Sequence, residues 1–145
     1  MTIRQADRND LPILAQLACL LWPHHSIEEM QADLGAILDK PDAAFFLAMA
    51  EERAVGFAQC QLRHDYVEGT ENSPVGYLEG IYVMPGHRGM GIAKQLLCAC
   101  ESWARSRNCM EFASDCELTN TESLQFHRKA GFEEANRIIC FTKKL

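Results

Sequence analysis

The clearest periodic stretch of the chain runs from Gly91 to about Asn108, where Ile92, Leu96, Cys100 and Trp103 recur at helical spacing and predict an amphipathic helix. Two helices are expected before it. Asp10 followed by Pro12 marks the start of the first, since proline costs little in a first turn, and it runs to about Leu21 ahead of Trp22-Pro23. Ser26 with Glu29 has capping-box spacing and opens the second, to about Leu38, before the loop Asp39 to Asp42. Thr119 with Glu122 opens another helix, which Gly131 ends. Strands are predicted at Thr2 to Gln5, Phe45 to Glu51, Val55 to Arg63, Val75 to Val83, Met110 to Ala113 and Ile138 to Thr142. Glu52-Arg53-Ala54 joins the second strand to the third, and the polar stretch His64 to Pro74 reads as an exposed loop. The order β-α-α-β-β-β-α-β-α-β combines an antiparallel meander with a later βαβ crossover. That places the chain in the α+β class, with a mixed central sheet flanked by helices.

Composition narrows the functional classes. The chain has 145 residues, 14 basic and 20 acidic, for a formal net charge of −6. This length suits a single domain over 1–145, and 48% hydrophobic residues suffice for a core. The longest apolar run, Ala43 to Ala50, has eight residues, whereas a membrane span needs ~20. The opening Met-Thr-Ile-Arg-Gln-Ala-Asp lacks the charged-then-apolar layout of a signal peptide. A soluble cytoplasmic protein is expected. Its seven cysteines show no C-x-x-C spacing, and most sit in apolar stretches, so buried thiols in a reducing compartment are expected and a metal site is not. The neighbours His24 and His25 point apart and have no third ligand. An acidic chain disfavours nucleic acid and suits a cationic ligand.

Chemistry concentrates at Arg88-Gly89-Met90-Gly91-Ile92-Ala93, between a strand and the long helix. Glycines there let the backbone approach a ligand, and the helix N-terminus offers N–H groups and partial positive charge to a pyrophosphate. The run is neither G-x-x-x-x-G-K-[ST] nor G-x-G-x-x-G, which excludes the usual nucleoside triphosphate and dinucleotide motifs. Arg88, Gly91 and Ala93 instead fit [QR]-x-x-G-x-[GA]. Farther on, Asn120, Ser123, Phe126, Gly131 and Phe132 fit N-x-x-(A/S)-x-x-(F/L)-Y-x-x-x-G-F. Together they resemble the acetyl-CoA-dependent GNAT superfamily of N-acetyltransferases, and the likeness extends along the chain. The runs Leu62 to Thr70, Gly76 to Ile81, Phe112 to Asn120 and Glu134 to Phe141 are similar, more narrowly, to aminoglycoside 6'-N-acetyltransferases.

The resemblance implies a GNAT fold, with acetyl-CoA as cosubstrate and direct transfer to an amine. Backbone amides near Ile81, Tyr82 and Val83 would hold the pantetheine arm and polarise the thioester carbonyl. Those of Arg88, Gly89, Met90, Gly91, Ile92 and Ala93 would hold the pyrophosphate, and Asn120 would touch the cofactor from the opposite helix. A homodimer is also implied, and the apolar last strand would permit strand exchange or sheet addition.

Several side chains keep two readings. Glu79, a carboxylate in an apolar strand, is either the general base or the buried partner of an arginine. Asp115 either shares the base role or binds the ammonium. His127 stands where many GNAT enzymes carry a tyrosine, and either protonates the departing thiolate or packs on its helix. Asp65, Glu68, Glu71, Asp115 and Glu117 either line an acidic cleft or form solvated surface. Trp22 and Tyr66 either pack on sugar rings or serve the fold. The expected activity is acetylation of the 6'-amine of aminoglycosides, conferring resistance. Its rivals are another cationic amine (a polyamine, a protein N-terminus or a lysine) and an acyl-CoA-binding sensor without turnover.

Overall fold

The structure is a computed structural model that describes residues 1–145. Its centre is a five-stranded sheet in the order β1 (Thr2–Gln5), β2 (Ala43–Ala50), β3 (Arg53–Arg63), β4 (Val75–Val83) and β5 (Phe112–Ser114). The first four strands pair antiparallel in sequence order, and β5 joins β4 in parallel. Helices α1 (Leu11–Leu21) and α2 (Ile27–Leu38) connect β1 to β2, α3 (Ile92–Ser106) makes the crossover from β4 to β5, and α4 (Thr121–Lys129) follows β5.

The sheet is covered on both faces, which explains the uninterrupted apolar run of β2. Ala44, Phe46 and Ala48 share a core with Ile92, Leu96, Leu97, Cys100 and Trp103 of α3. Phe45 and Leu47, pointing the other way, pack with Leu14, Leu17 and Ala18 of α1 and with Met30 and Leu34 of α2. Each helix follows from its sequence. Pro12 lies in the first turn of α1, Ser26 Oγ accepts from the Glu29 amide at the start of α2, and the buried positions of α3 fall on one stripe.

Two bulges then decide which face each later residue takes. Between β2 and β3 the register moves from Ala48↔Gly56 to Met49↔Ala54, so Val55 is the extra residue. Between β3 and β4 it moves from Gln59↔Gly80 to Cys60↔Leu78, so Glu79 is the extra residue. A bulge reverses the alternation beyond it. Leu78 accordingly faces the α3 core, and so do Ile81 and Val83, although they differ from it in parity.

Several boundaries depart from the expectation. The β2–β3 turn is Glu51-Glu52 rather than Glu52-Arg53-Ala54, with Glu51 in the left-handed region at φ 56°. Strand β5 begins at Phe112 instead of Met110, and Asn120, not Thr119, caps α4 through its side-chain oxygen on the Ser123 amide. Only Cys60, Cys100 and Cys109 are buried. Cys98 lies on the outer face of α3, and Cys116 and Cys140 are exposed outside regular structure, so the expectation of mostly buried thiols fails. The final strand at Ile138 to Thr142 does not form, and Ile138, Ile139 and Phe141 stay exposed. A strand needs a ladder partner for its backbone groups, and the tail aligns on neither edge of the sheet.

One close approach fixes how α1 meets β4. A Cβ on Gly80 would come within 2.6 and 2.7 Å of two Trp22 ring carbons, and the Trp22 ring itself stands edge-on to Phe57 with centroids 6.2 Å apart. Gly80→Ala should therefore destabilise the protein by about 1–3 kcal/mol through overpacking. Thermal denaturation will show this, and the loss should shrink when Gly80→Ala is combined with Trp22→Leu, since residues in contact are coupled.

Candidate active site

The bulge at Glu79 delivers a carboxylate to the end of the sheet face that α1 and α2 leave uncovered. Arg63 closes β3 beside it. The Arg63 Nε donates to Glu79 Oε1 at 3.0 Å and its terminal nitrogen to Oε2 at 2.9 Å, a bidentate pair. The same guanidinium lies over the Tyr77 ring, its carbon 3.5 Å from the centroid. The Tyr77 hydroxyl in turn donates a very short hydrogen bond to Asp115, just past the end of β5. Burial, reinforced by the neighbouring Asp115 carboxylate, pushes the Tyr77 phenol well up, so it stays protonated and acts as donor. Glu79 beside it raises Arg63, whose charge is permanent. Glu79, Arg63, Tyr77 and Asp115 thus form one connected cluster.

His127 enters from α4. Its Nδ1 lies 2.7 Å from the Ser123 carbonyl, which only accepts, so Nδ1 carries a proton. Its Nε2 is thereby directed at Ser114 Oγ, 2.8 Å away. Ser114 also lies 3.3 Å from the Leu78 carbonyl on the last rung of the β4–β5 ladder. Beyond that rung β5 has ended, and β4 from Glu79 to Val83 has no neighbouring strand on that side.

The open edge leads to the glycine turn. The amides of Gly89, Met90, Gly91, Ile92, Ala93 and Lys94 have no acceptor within the protein, and the first bond into α3 is Gln95 N–H to the Gly91 carbonyl at 3.1 Å. Gly89 and Gly91 both sit at φ 78°, and a Cβ on either would meet nothing within 4 Å. Left-handed geometry is what needs glycine here, and open space lies in front of the amides. Arg88 Nε holds the Val83 carbonyl at 2.8 Å and its guanidinium lies over Tyr82, tying the turn to the strand. Six unpaired amides at a helix N-terminus, facing open space, fit a pyrophosphate.

Other expected site residues lie apart. Trp22 is packed against Gly80 and Phe57, half-buried at the edge of the α1/α2 core. Asp65, Tyr66, Glu68 and Glu71 lie on the exposed loop and make no hydrogen bond or ion pair with the Glu79 cluster. That loop is pinned: Glu111 Oε1 accepts from the Glu71 and Asn72 amides, which hold its carboxyl below the usual range, and Glu68 accepts from Asn136 of the tail at 3.0 Å. Glu117 is exposed and unpaired, and Asn120 Oδ1 is engaged as the α4 cap. Reading the sequence did not single out Arg63, Tyr77 or Ser114. The one signal was Glu79 itself, whose burial in a strand calls for a cationic partner without saying which.

Known proteins share this architecture. The profile of the Acetyltransferase (GNAT) family matches residues 11–132, and the chain belongs to that family. It is 44% identical over 144 residues to the aminoglycoside N(6')-acetyltransferase type 1 of Salmonella typhimurium strain LT2, covering 99% of each chain. With the enzyme of the same name from Acinetobacter haemolyticus it shares 38% over 145 residues, covering 100% of this chain and 99% of the relative. Among solved structures, AAC(6')-Iy in complex with the bisubstrate analog CoA-S-monomethyl-acetylneamine superposes with a TM-score of 0.95 at 42% identity, covering 99% of this chain and 98% of that one.

The turn makes a direct prediction. Gly91→Ala forces a Cβ onto φ 78°, which should cost about 1 kcal/mol of stability and misdirect the amides. Calorimetry should show weaker binding of acetyl-CoA. Gly86→Ala, where a Cβ meets nothing within 4 Å and φ is not positive, should bind normally.

Proposed function

We propose that the protein transfers the acetyl group of acetyl-CoA to the 6'-amine of aminoglycosides and so confers resistance. One observation carries the reading: a bulged carboxylate and an anion cradle occupy the two ends of the same unpaired edge of β4, an amine-deprotonating group at one end and a pyrophosphate seat at the other. Full-length identity to enzymes named for the 6' position supports the choice of amine.

When bound, acetyl-CoA supplies an acyl group already activated as a thioester, so no nucleophile of the chain is required. Amides of Ile81 and Val83 on the open edge of β4 are pre-oriented to stabilise negative charge on the carbonyl oxygen, whereas the Tyr82 amide, like that of Met84, turns toward β3. The amides of Gly89 to Lys94 hold the pyrophosphate, and that of Arg88 does not, being bonded to the Pro85 carbonyl. Glu79 receives the proton of the attacking amine, directly or through one water. That step is needed because an alkyl ammonium has a pKa of about 10. Asp115, oriented by the Tyr77 hydroxyl on one of its oxygens, holds a substrate ammonium near Glu79 with the other. His127 serves the departing sulfur through the Ser114 hydroxyl. Once the ring has taken a second proton from solvent, its Nε2–H passes to Ser114 Oγ as that hydroxyl gives its own proton to the thiolate. The ring is left neutral, with Nδ1–H on the Ser123 carbonyl. The acids of the 65–71 loop and Glu117 add a general attraction for a polycation.

We read residues 1–145 as one domain that works as a homodimer. The exposed apolar tail, Ile138 to Phe141, lacks a strand partner, and a second copy can provide one. Free thiols at all seven cysteines and dependence on acetyl-CoA suit a reducing cytoplasm. No helix is long and apolar enough to cross a membrane.

The test is turnover of acetyl-CoA with kanamycin, with product NMR to locate the acetyl group. A single acetyl on the 6'-nitrogen is expected, and acetylation only of polyamines or peptides would overturn the reading. Glu79→Gln should lower kcat by about 10²-fold or more, most at low pH where the amine is protonated, with acetyl-CoA affinity unchanged. His127→Gln should lower kcat about tenfold with both KM values unchanged, and Ser114→Ala should match it.

A further inference from the structure

The burial order of the Glu79 cluster is its unexplained feature. Tyr77 is 6% exposed, the Glu79 side chain 19% and the Arg63 side chain 40%. Arg63 is therefore the outermost layer, and a solute arriving from solvent meets it before the carboxylate or the ring. Its two donors use both Glu79 oxygens, and its flat face covers the Tyr77 ring. The nearer Asp115 oxygen is already engaged by the Tyr77 hydroxyl. Of the features that would recognise an amino sugar, the Glu79 carboxylate and the aromatic face are thus satisfied internally, and Asp115 keeps one oxygen free.

Resting on the reading that a substrate amine reacts beside Glu79, we propose that Arg63 is a stand-in for the substrate cation, and that amine binding displaces it from Glu79 and from the face of Tyr77. The guanidinium reproduces what the ligand brings, a positive charge with N–H donors for Glu79 and a flat surface for the ring. It cannot vacate by losing its proton, because Glu79 stabilises its charged form further, so it leaves only by moving. Its length and exposed position at the end of β3 permit that movement. Displacement leaves Glu79 with free lone pairs to take the amine proton and bares Tyr77 as a platform for the sugar ring. It also makes the seat selective, since a ligand without an ammonium cannot replace the ion pair it breaks.

A structural ion pair and a displaceable stand-in predict opposite signs. The experiment is titration calorimetry of kanamycin against the acetyl-CoA-saturated protein, for the unaltered chain, Arg63→Gln and Arg63→Lys, with melting temperature and acetyl-CoA affinity as controls of folding. Arg63→Gln should bind kanamycin about five- to thirty-fold more tightly, because no guanidinium has to be displaced. Arg63→Lys, which keeps the charge but neither the fork nor the flat face, should fall between and reports on the idea should the glutamine variant not fold. The gain should be smaller for an aminoglycoside with a hydroxyl in place of the 6'-amine. Equal or weaker binding in both variants, or the same gain for the hydroxyl ligand, overturns the stand-in role. Failure of the unaltered protein to bind or acetylate kanamycin would instead remove the substrate reading on which the inference rests.

Discussion

At Glu79 the β3–β4 ladder admits one unpaired residue, and most of what is distinctive in this molecule follows from that slip. Without it, Glu79 would share a face with Tyr77 and Ile81 in a regular strand, and Val83 would turn away from the α3 core. With it, the residues up to Leu78 keep one assignment of faces, and those from Ile81 onward take the other. The carboxylate is pushed out where the parity changes. Bulges next to reactive centres commonly re-aim a side chain in this way. Here the same stretch of β4 has just lost β5 as a neighbour, so the re-aimed carboxylate stands where β4 runs on past the end of its parallel partner.

The surroundings of Glu79 are built from distant parts of the chain. Arg63 comes from the end of β3, Tyr77 from β4, Asp115 from beyond β5, and the His127–Ser114 pair joins α4 to β5. Each of these side chains is held by a hydrogen bond or a stacked face, and Glu111 anchors the loop that precedes β4. Such a network places charged groups where solvent still reaches them, which keeps their desolvation modest. It contrasts with the glycine turn, whose contribution lies in unsatisfied backbone amides. In the proposed reaction the backbone would manage the anionic cosubstrate and the side chains the cationic one, a division that matches the sign of charge each can offer.

Trp22 shows how the fold limits the site. Its ring lies against Gly80, one residue beyond the bulge, so the close packing of α1 on β4 and the direction of Glu79 are set together. A side chain on Gly80 would move either the helix or the strand.

How much could be read beforehand depends on whether the signal is local. The helices, the strand β4 and the glycine turn were legible because periodicity, capping residues and φ-permissive positions act over a few neighbours: β4 spans Val75–Val83 as expected, and Ser26 caps α2. The family motif was legible for the same reason. Glu79 stood out by type alone, as a carboxylate in an apolar strand. Choosing Asn120 over Thr119 as the α4 cap depended on the path of the loop, since both side chains are able caps. The two bulges, the pairing of Arg63 with Glu79 and the relay from His127 to Ser114 are long-range, and nothing in a linear pattern marks them. The apolar run at Ile138 to Phe141 was real but has no ladder to join within one chain. Local conformational preference was thus written in the sequence, while register, charge pairing and strand partners were decided only when distant segments met, because a hydrogen bond or an ion pair needs both of its ends.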